Sequence, residues 1–577
     1  MSDKLNDLLA RRGFYWQSFD AYKGMVEAGG FYDYGPLGVG LKRNIMNKWY
    51  KTFIVPYMDF TIEVETPIIM PKIVFEASGH LENFTDFLVT CNKCGRKYRA
   101  DHLVEDELRK KGVKIKTEGL DEHHLDELIS QYEIRCPNCG GDLGNVQRFN
   151  LLFQTVIGPY SNNLGFIRPE TAQGMFIDFA KLYELSNRRL PLAVAQMGKV
   201  GRNEISPRQG LVRLREFSQM EIELFFDPQS PSCPHLDDVR DVKIRILPET
   251  DVAKGLDAPH EVGIKEAVEK GYIVNEWMGF YMGLATVFLN ELGVPLDKQL
   301  FIAKLPEERA HYAKAVFDQV VLTDRFGWLE VSGHAYRTDY DLSRHAKYSG
   351  QDLSAYRDLE TPRIEKIVKL SPNPVKIKER FGSDAGRIIK YIHDNAEKVL
   401  NDIETIGKSI FGEFEITREL VYISEQERKI FRERFMPHVI EPSFGIDRLL
   451  YVTLENAYME RNGKPLLKLP PDIAPIKVAV LPLIKKDPYP AIGKRIWSML
   501  VSNGIEAVYD DGDTIGSRYV KYDEEGVPFA ITIDDQTPKD GTVTLRDRDT
   551  TAQVRISIDS LVSDISLRIN RKRTIPT

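Results

Sequence analysis

The spacing of apolar residues changes character several times along the chain, and each change predicts a different element. From 38 to 52 the apolar positions recur at helical intervals, and the later run "FTIEVETPII" reads as extended. Residues 91 to 148 read as an insertion with a C-x-x-C knuckle at each end and a charged helical middle, whereas 149 to 226 alternate strand-like with helical segments. The stretch from 227 to 328 reads as helices with Pro-rich connections, and 350 to 420 as a second charged, partly helical insertion. "HVIEPSFGIDRLLYVTLENAY" predicts a strand running into a helix, and "KLPPDIAPIK", 468 to 477, a linker. Beyond it "KVAVLPL", "IEAVYD", "PFAITID", "GTVTLRD" and "QVRISI", with a helix through "IGKRIWSMLVSNG", predict a compact α/β domain. No internal repeat interrupts this order.

One segment keeps an unusual amount of charge in a strand-like pattern. "GRNEISPRQGLVRLREFSQMEIELFF", residues 201 to 226, holds four arginines and four glutamates. Val212, Leu214, Met220, Ile222, Leu224 and Phe226 share one parity, and Arg213, Arg215, Phe217, Glu221 and Glu223 share the other. Upstream, "LPLAVAQMGKVGRNEI" reads as a second strand on which Gln196, Arg202 and Glu204 share a parity. "SPRQG" supplies turn residues between them, which predicts an antiparallel hairpin. By pattern alone, the charged face reads equally well as a solvated surface laced with salt bridges.

Composition narrows the class without fixing it. At 577 residues and 42% hydrophobic content the chain can bury large cores and should divide into several domains. A formal net charge of −7 excludes a polyanion binder of the histone type, so any contact with nucleic acid must come from local patches. The N-terminal segment lacks a signal-peptide pattern, and nowhere do about 18 apolar residues follow one another, so the expected setting is cytoplasmic, with no membrane partner.

Four of the five cysteines fall in two C-x-x-C units, Cys91 with Cys94 and Cys136 with Cys139. In a reducing compartment that pattern reads as metal binding rather than disulfides. Four thiolates make a closed tetrahedral Zn²⁺ site, structural rather than catalytic, with Gly95 and Gly140 turning the knuckles; four free thiols in a chain that has lost its metal is the alternative. The 41 residues between the pairs require a helical insert. Cys233 reads as an unliganded thiol, and His123 and His124 as solvated.

Several longer motifs now converge. G-R-N-E at 201 to 204 with R-x-R-E-F at 213 to 217 resembles motif 2 of class II aminoacyl-tRNA synthetases, "EPSFGIDRLL" at 441 to 450 resembles motif 3, and the helix and extended segment ending near Pro67 resemble motif 1. "GFYDYGPLG" (30 to 38), "RADHL" (99 to 103), "RPETAQG" (168 to 174), "RNEISPRQGLVRLREF" and "EPSFG" resemble the glycyl-tRNA synthetase family of archaeal and eukaryotic type. The resemblance runs from about residue 13 into the C-terminal domain. It implies an α+β fold: a class II antiparallel β-sheet catalytic core flanked by helices, with inserted subdomains and a C-terminal α/β anticodon-binding domain. The core is then expected at 1–90, 149–226, 329–349 and 421–467, a zinc-knuckle insertion at 91–148, a helical insertion or core extension at 227–328, an insertion at 350–420 and the anticodon-binding domain at 475–577.

The same resemblance implies an enzyme that joins glycine to tRNA(Gly) through a glycyl-adenylate, with ATP, Mg²⁺ and a homodimeric assembly. Arg202 is then expected at the α-phosphate and, with Arg448, as a catalytic group; a planar guanidinium suits phosphate oxygens. Phe217 and Arg448 are expected on the two sides of adenine, Arg213 at the outer phosphates, Glu204 at the adenine amino group and Glu330 on Mg²⁺. Asn203, Val212, Leu214, Arg215, Glu216, Val331, Gly445, Ile446 and Asp447 complete the implied ATP set. For glycine the implied set is Glu170, Glu221, Glu441 and Ser443, with Arg99, Phe217, Ser218, Gln219, Met220, Pro442, Phe444 and Gly445. Carboxylates would hold its ammonium, and steric exclusion would reject larger amino acids, so no editing domain is expected.

The C-terminal region from 475 to 577 carries 15 Lys and Arg against 15 Asp and Glu, so tRNA recognition there must use a local basic edge and base contacts. "RINRKR" reads as a solvated tail that could touch phosphate. Two other readings stay open at this point: a class II synthetase for another small amino acid, and a noncatalytic paralogue that binds nucleic acid.

Overall fold

The computed structural model describes residues 2–22, 29–113, 115, 117, 119–159, 162–207 and 209–570, so the last three residues of "RINRKR" lie outside the described residues. The chain divides into two compact units, one formed by 1–353 with 436–577 and the other by 354–435.

The first unit is built on a nine-stranded sheet. Its order is His260–Gly263, Lys243–Leu247, Gln299–Ala303, Ala315–Thr323, Gly327–Thr338, His438–Gly445, Glu216–Phe226, Leu192–Gly201 and Thr61–Glu63. The central neighbours are antiparallel, and only the pairs Lys243–Leu247 with Gln299–Ala303 and Leu192–Gly201 with Thr61–Glu63 run parallel. The predicted hairpin forms, with Leu192 opposite Phe225 and Gly201 opposite Glu216. Its second strand begins at Glu216, because residues 210–212 close into a 3₁₀ turn.

Parity then sorts the side chains. Met220, Ile222, Leu224 and Phe226 enter the main core. Against that core the helix Pro36–Phe53 turns Leu37, Leu41, Ile45, Trp49 and Phe53, a four-residue repeat that keeps one stripe inward. Pro36 sits in its first turn, where a missing N–H leaves nothing unpaired. The ring of Phe53 lies 5.5 Å from Trp49, 5.1 Å from Phe444 and 5.7 Å from Phe288, so three elements share one aromatic cluster. Phe288 comes from the helix Glu276–Glu291, which is apolar almost all round and almost wholly buried; Asn275 caps it by accepting from the Met278 N–H.

The stretch from 227 to 328 departs from the helical reading. It supplies four strands of the large sheet beside the helix Glu276–Glu291. The segments "KIRIL" and "QLFIA" are short and largely buried, so they carry no alternation that would separate strand from helix. The expected linker at 468–477 is packed instead: Leu469, Ile473 and Ala474 are fully buried, and Asn44 Nδ2 donates to the carbonyls of Ile473 and Ala474 at 3.1 Å. Its prolines fix backbone angles without making it solvated.

The region of the two cysteine pairs forms a small sheet, Lys97–Arg99, Thr85–Thr90 and Gln147–Asn150, with helices Ala100–Lys110 and Glu122–Gln131. The C-terminal five-stranded sheet runs Ala507–Tyr509, Val478–Pro482, Phe529–Ile533, Thr542–Asp547, Gln553–Ser557, parallel in its first three strands and antiparallel thereafter. Glu524 of this domain, almost buried, takes Arg11 at 2.8 Å and Arg12 at 2.5 Å.

The second unit pairs two long antiparallel strands, Ala355–Pro372 and Val421–Phe435, with three helices whose Ile377, Ile388, Ile392, Val399 and Ile403 close a core on Leu370 and Val421. Residues 421–435, expected with the core, thus belong to this unit; the exposed, charged run "SEQERKIFRER" gives little sign of its pairing partner. No helix among the described residues is long and apolar enough to cross a membrane.

Emptying the centre of the aromatic cluster with Phe53→Ala should lower the unfolding free energy by about 3–5 kcal/mol, read from urea denaturation followed by tryptophan fluorescence.

Candidate functional site

The charged parity of Glu216–Phe226 faces a cleft of about 700 Å³. Glu221 and Glu223 are 1% and 0% exposed, which rules out the solvated salt-bridge reading for this half of the strand. Glu216, of the opposite parity at the start of the strand, does make a surface ion pair, with Lys199 at 2.7 Å.

At one end of the cleft three buried carboxylates converge from separate segments: Glu170, Glu221 and Glu441. Glu221 accepts from the Thr171 N–H at 2.7 Å and from the Thr171 hydroxyl, and from Ser443 Oγ at 2.6 Å. Glu441 accepts from Arg337 Nη1 at 2.9 Å. Glu170 accepts from Gln173 Nε2 at 2.7 Å and lies 3.6 Å from both His80 and Arg337. Arg337 is fully buried; Asp341 takes its other nitrogens at 2.8 and 2.9 Å, and its guanidinium lies 3.6 Å from the centre of the Tyr312 ring.

The backbone that brings Glu170 here is fixed by Arg168. That guanidinium is buried and donates to the carbonyls of Lys199 at 3.0 Å and Thr66 at 2.9 Å. Gly198 makes room for it, since a Cβ there would lie 2.1 Å from Arg168 Nη2.

Charge at this end is dominated by burial. Burial pushes the Glu441 carboxyl up to about 8, with Arg337 opposing the rise and Glu170 and Glu221 adding to it. Burial and the nearby Glu170 also raise Glu221. Burial acts on Glu170 in the same direction, but His80 and Arg337 outweigh it and hold that carboxyl well below the usual range. A site with more carboxylate than guanidinium favours a cation.

The other end of the cleft gathers guanidiniums. Arg202 donates from Nε to the Pro169 carbonyl at 3.1 Å and lies 5.2 Å from the centre of the Phe217 ring and 5.5 Å from that of Phe84. Arg448, in the first turn of the helix Ile446–Ala457, donates to the Val212 carbonyl at 2.9 Å and to Glu330 Oε2 at 3.2 Å on the strand Gly327–Thr338. Arg213 lies 3.7 Å from Glu204. Burial is the largest influence on Glu330, yet Arg448, Lys304 and Arg202 overcome it and keep its carboxyl low. Asp318, on the adjacent strand, is raised to about 7 by burial and by Glu330, against Lys304. Two facing carboxylates of this kind gain from a divalent cation.

The structure brings Arg202, Glu204, Val212, Arg213, Leu214, Phe217, Glu330, Val331, Gly445, Asp447 and Arg448 to the cleft wall, with Gln219 and Ser443 beside the carboxylates. It places other expected residues elsewhere. Met220, Phe444 and Ile446 send their side chains into the core, by the parity that puts Glu221 and Ser443 in the cleft. Arg215 braces the hairpin loop, donating to the carbonyls of Glu204 at 2.8 Å and Gly29 at 2.8 Å. Asn203, Glu216, Ser218 and Pro442 are absent from the wall. Arg99 opens on a separate pocket of about 320 Å³ and is engaged by Asp101 at 2.8 Å and Asp86 at 3.2 Å. Asp447 acts as a clamp, accepting from the Ser218 N–H at 2.7 Å, Lys42 at 3.1 Å and the Tyr34 hydroxyl.

The four cysteines also come together. Their sulfur atoms all lie within 4.8 Å of one another, with Cys91 to Cys139 at 3.5 Å and Cys94 to Cys136 at 3.6 Å. Such spacings suit the edges of a tetrahedron around one ion with Zn–S bonds of about 2.3 Å. Gly95 and Gly140, at φ +69° and +67°, make the turns. Cys233 is buried apart from them, and His123 and His124 are exposed.

Comparison with known proteins adds a second line of evidence. Residues 477–567 match the anticodon binding domain family. The glycine-tRNA ligase of Thermococcus sibiricus is 46% identical over 97% of this chain and 97% of its own length. Those of Aeropyrum pernix and Methanocaldococcus jannaschii are 46% and 45% identical over 98% of the chain, covering 96% and 99% of their own lengths. The chain belongs to the glycine-tRNA ligase family. Its antiparallel core sheet with flanking helices and C-terminal anticodon-binding domain is the class II synthetase architecture that the motifs implied.

Sequence reasoning missed several groups in this glycine-tRNA ligase family member. His80, Lys304, Tyr312 and Asp318 line the cleft, and Arg337, Gln173 and Asp341 stand behind it. Arg337 and Asp341 did carry a signal: an arginine and an aspartate four apart where a strand meets a helix, in "HAYRTDYD".

The raised Glu441 carboxyl predicts a pH effect on stability. It binds its proton more tightly folded than unfolded, so its contribution is complete below the ordinary carboxylate pKa and is lost as pH rises toward about 8. Without glycine, melting temperatures from about pH 5 to 8.5 should fall less in Glu441→Gln than in the parent.

Proposed function

We propose that the protein ligates glycine to tRNA(Gly) in two steps driven by ATP. The observation that carries this reading is the polarity of one cleft, with buried carboxylates at one end and guanidiniums around an aromatic ring at the other. A zwitterion without a side chain fits between them: Glu170, Glu221 and Glu441, helped by Ser443, take its ammonium and leave its carboxylate facing the arginines.

In the first step a glycine carboxylate oxygen attacks the α-phosphorus of ATP, the bond to the β-phosphate oxygen breaks, and pyrophosphate leaves. Arg202 draws charge from the α-phosphate oxygens, Arg213 meets the outer phosphates, and Phe217 with Arg448 holds adenine. Glu204 reads the adenine amino group. This chemistry needs positioning and charge stabilisation more than covalent help. Glu330, with Asp318 facing it, would hold Mg²⁺, which neutralises phosphate charge when bound. In the second step a hydroxyl of the tRNA terminal ribose attacks the glycyl carbonyl carbon and gives up its proton to solvent, and AMP leaves with the bonding electrons.

The anticodon-binding domain reads tRNA(Gly). The cysteine cluster holds structural Zn²⁺. The working form is a cytoplasmic homodimer: exposed Val55, Met58, Ile68, Ile69 and Ile73 follow the helix Pro36–Phe53 closely in sequence and offer apolar surface suited to a second copy.

Glycine should support ATP–pyrophosphate exchange; exchange driven by alanine or serine but not glycine would overturn the assignment. Arg202→Ala should reduce that exchange by at least about 10²-fold while tRNA binding stays nearly intact. Unchanged exchange would remove Arg202 from its role. Metal analysis of the purified protein should find one zinc per chain, lost with either C-x-x-C pair changed to serine.

A further inference from the structure

Glu223 has no part in the site as described, yet it is among the most confined charged residues of the chain. It is 0% exposed, and neither carboxyl oxygen has a hydrogen-bond partner. It shares a parity with Glu221 on Glu216–Phe226, one step deeper into the sheet. Because Glu221 pairs with Ser443 and Leu224 with Ile440, Glu223 stands beside Glu441 on the neighbouring strand. Side chains at cross-strand positions sit about 4.5–5.5 Å apart at Cβ, close enough for two carboxyls to meet. On its other side it faces Val194, which offers no charge.

The charged groups around it are of mostly one sign. Glu441 on His438–Gly445, Glu221 on its own strand and Asp341 on the helix Tyr340–Ser349 are acidic, and Arg337 on Gly327–Thr338 is the counterion they share. Tyr281 on the helix Glu276–Glu291 is also within electrostatic reach. An ionised carboxylate sealed here without a partner would be the costliest state of the cluster, whereas a neutral carboxyl brings an O–H donor with it.

We propose that Glu223 is a positioning residue that stays protonated and reserves its O–H for Glu441 when that carboxylate engages the ammonium of the substrate. The proposal rests on the reading of this end of the cleft as the glycine pocket. Burial, with Glu441 next in weight, holds the Glu223 carboxyl well above the usual range, which agrees with the geometry. As the ammonium arrives, the proton on Glu441 leaves to solvent and the proton on Glu223 remains. Glu441 then accepts from Arg337 on one side and Glu223 on another, and is presented rather than repelled.

Infrared difference spectra and ATP–pyrophosphate exchange test this on the full-length protein. At about pH 9 with glycine saturating, the wild type should show the carbonyl band of a buried protonated carboxyl, absent in Glu223→Gln. Glu223→Gln, which keeps a donor, should retain the glycine KM within about threefold, whereas Glu223→Leu should raise it about tenfold with the KM for ATP unchanged. Absence of the band in the wild type, its survival in Glu223→Gln, or equal glycine KM values in the two variants would overturn the proposal. If Glu223→Leu does not fold, the band and the glycine KM of Glu223→Gln decide. Wild-type exchange that does not depend on glycine would instead overturn the glycine pocket itself, which the infrared band does not address.

Discussion

A single buried guanidinium makes the acidic end of this cleft possible. Arg337 joins Glu441 from the strand before one helix, Asp341 from the start of another and Glu170 from a turn far earlier in the chain. Carboxylates removed from water repel one another unless something shares their charge, and without partners they take up protons. The aromatic walls of Tyr312 and Phe176 confine the guanidinium so that it must serve all three acids at once. The site is therefore polar in composition but apolar in setting, and each interaction with an incoming cation is strengthened by the same exclusion of water that makes the empty site expensive.

Much of this was legible because a strand has a period of two. The alternation in "EFSQMEIELFF" separated Met220, Ile222 and Leu224 from Phe217, Glu221 and Glu223, and the structure puts the first set in the core and Phe217 and Glu221 on the cleft wall. The cysteine pairs were legible because metal ligands come in short fixed spacings. What alternation cannot reveal is depth. Glu221 and Glu223 look the same in sequence, yet one lines the cleft and the other lies sealed behind it. Nor does a local pattern disclose partners brought from far along the chain, so Arg337, His80 and Asp318 went unrecognised. The strands between 227 and 328 were hidden for a related reason, since segments buried on both faces lose the polar positions that mark a period.

The two ends of the cleft are also joined mechanically. Asp447 opens the helix Ile446–Ala457 and ties it to the Ser218 backbone, to Lys42 and to Tyr34 of "GFYDYGPLG". Arg448, one residue later, reaches across to Glu330 and Val212. The helix carrying the aromatic cluster, the strand carrying Phe217 and the guanidinium over the cleft are thus referenced to one carboxylate. That explains how a motif with few chemical groups of its own, such as "GFYDYGPLG", bears on the site.

The pairing of Glu524 with Arg11 and Arg12 has a different reach. It fastens the beginning of the chain to its last domain, so the first dozen residues act as a tether between the anticodon-binding module and the core sheet. Together with Arg548 on the Leu469 carbonyl and Arg461 on the Asp549 carbonyl, it makes the docking of the last domain depend on guanidiniums drawn from both sides of the seam, so that high salt should loosen the exposed members of this set before the buried ones.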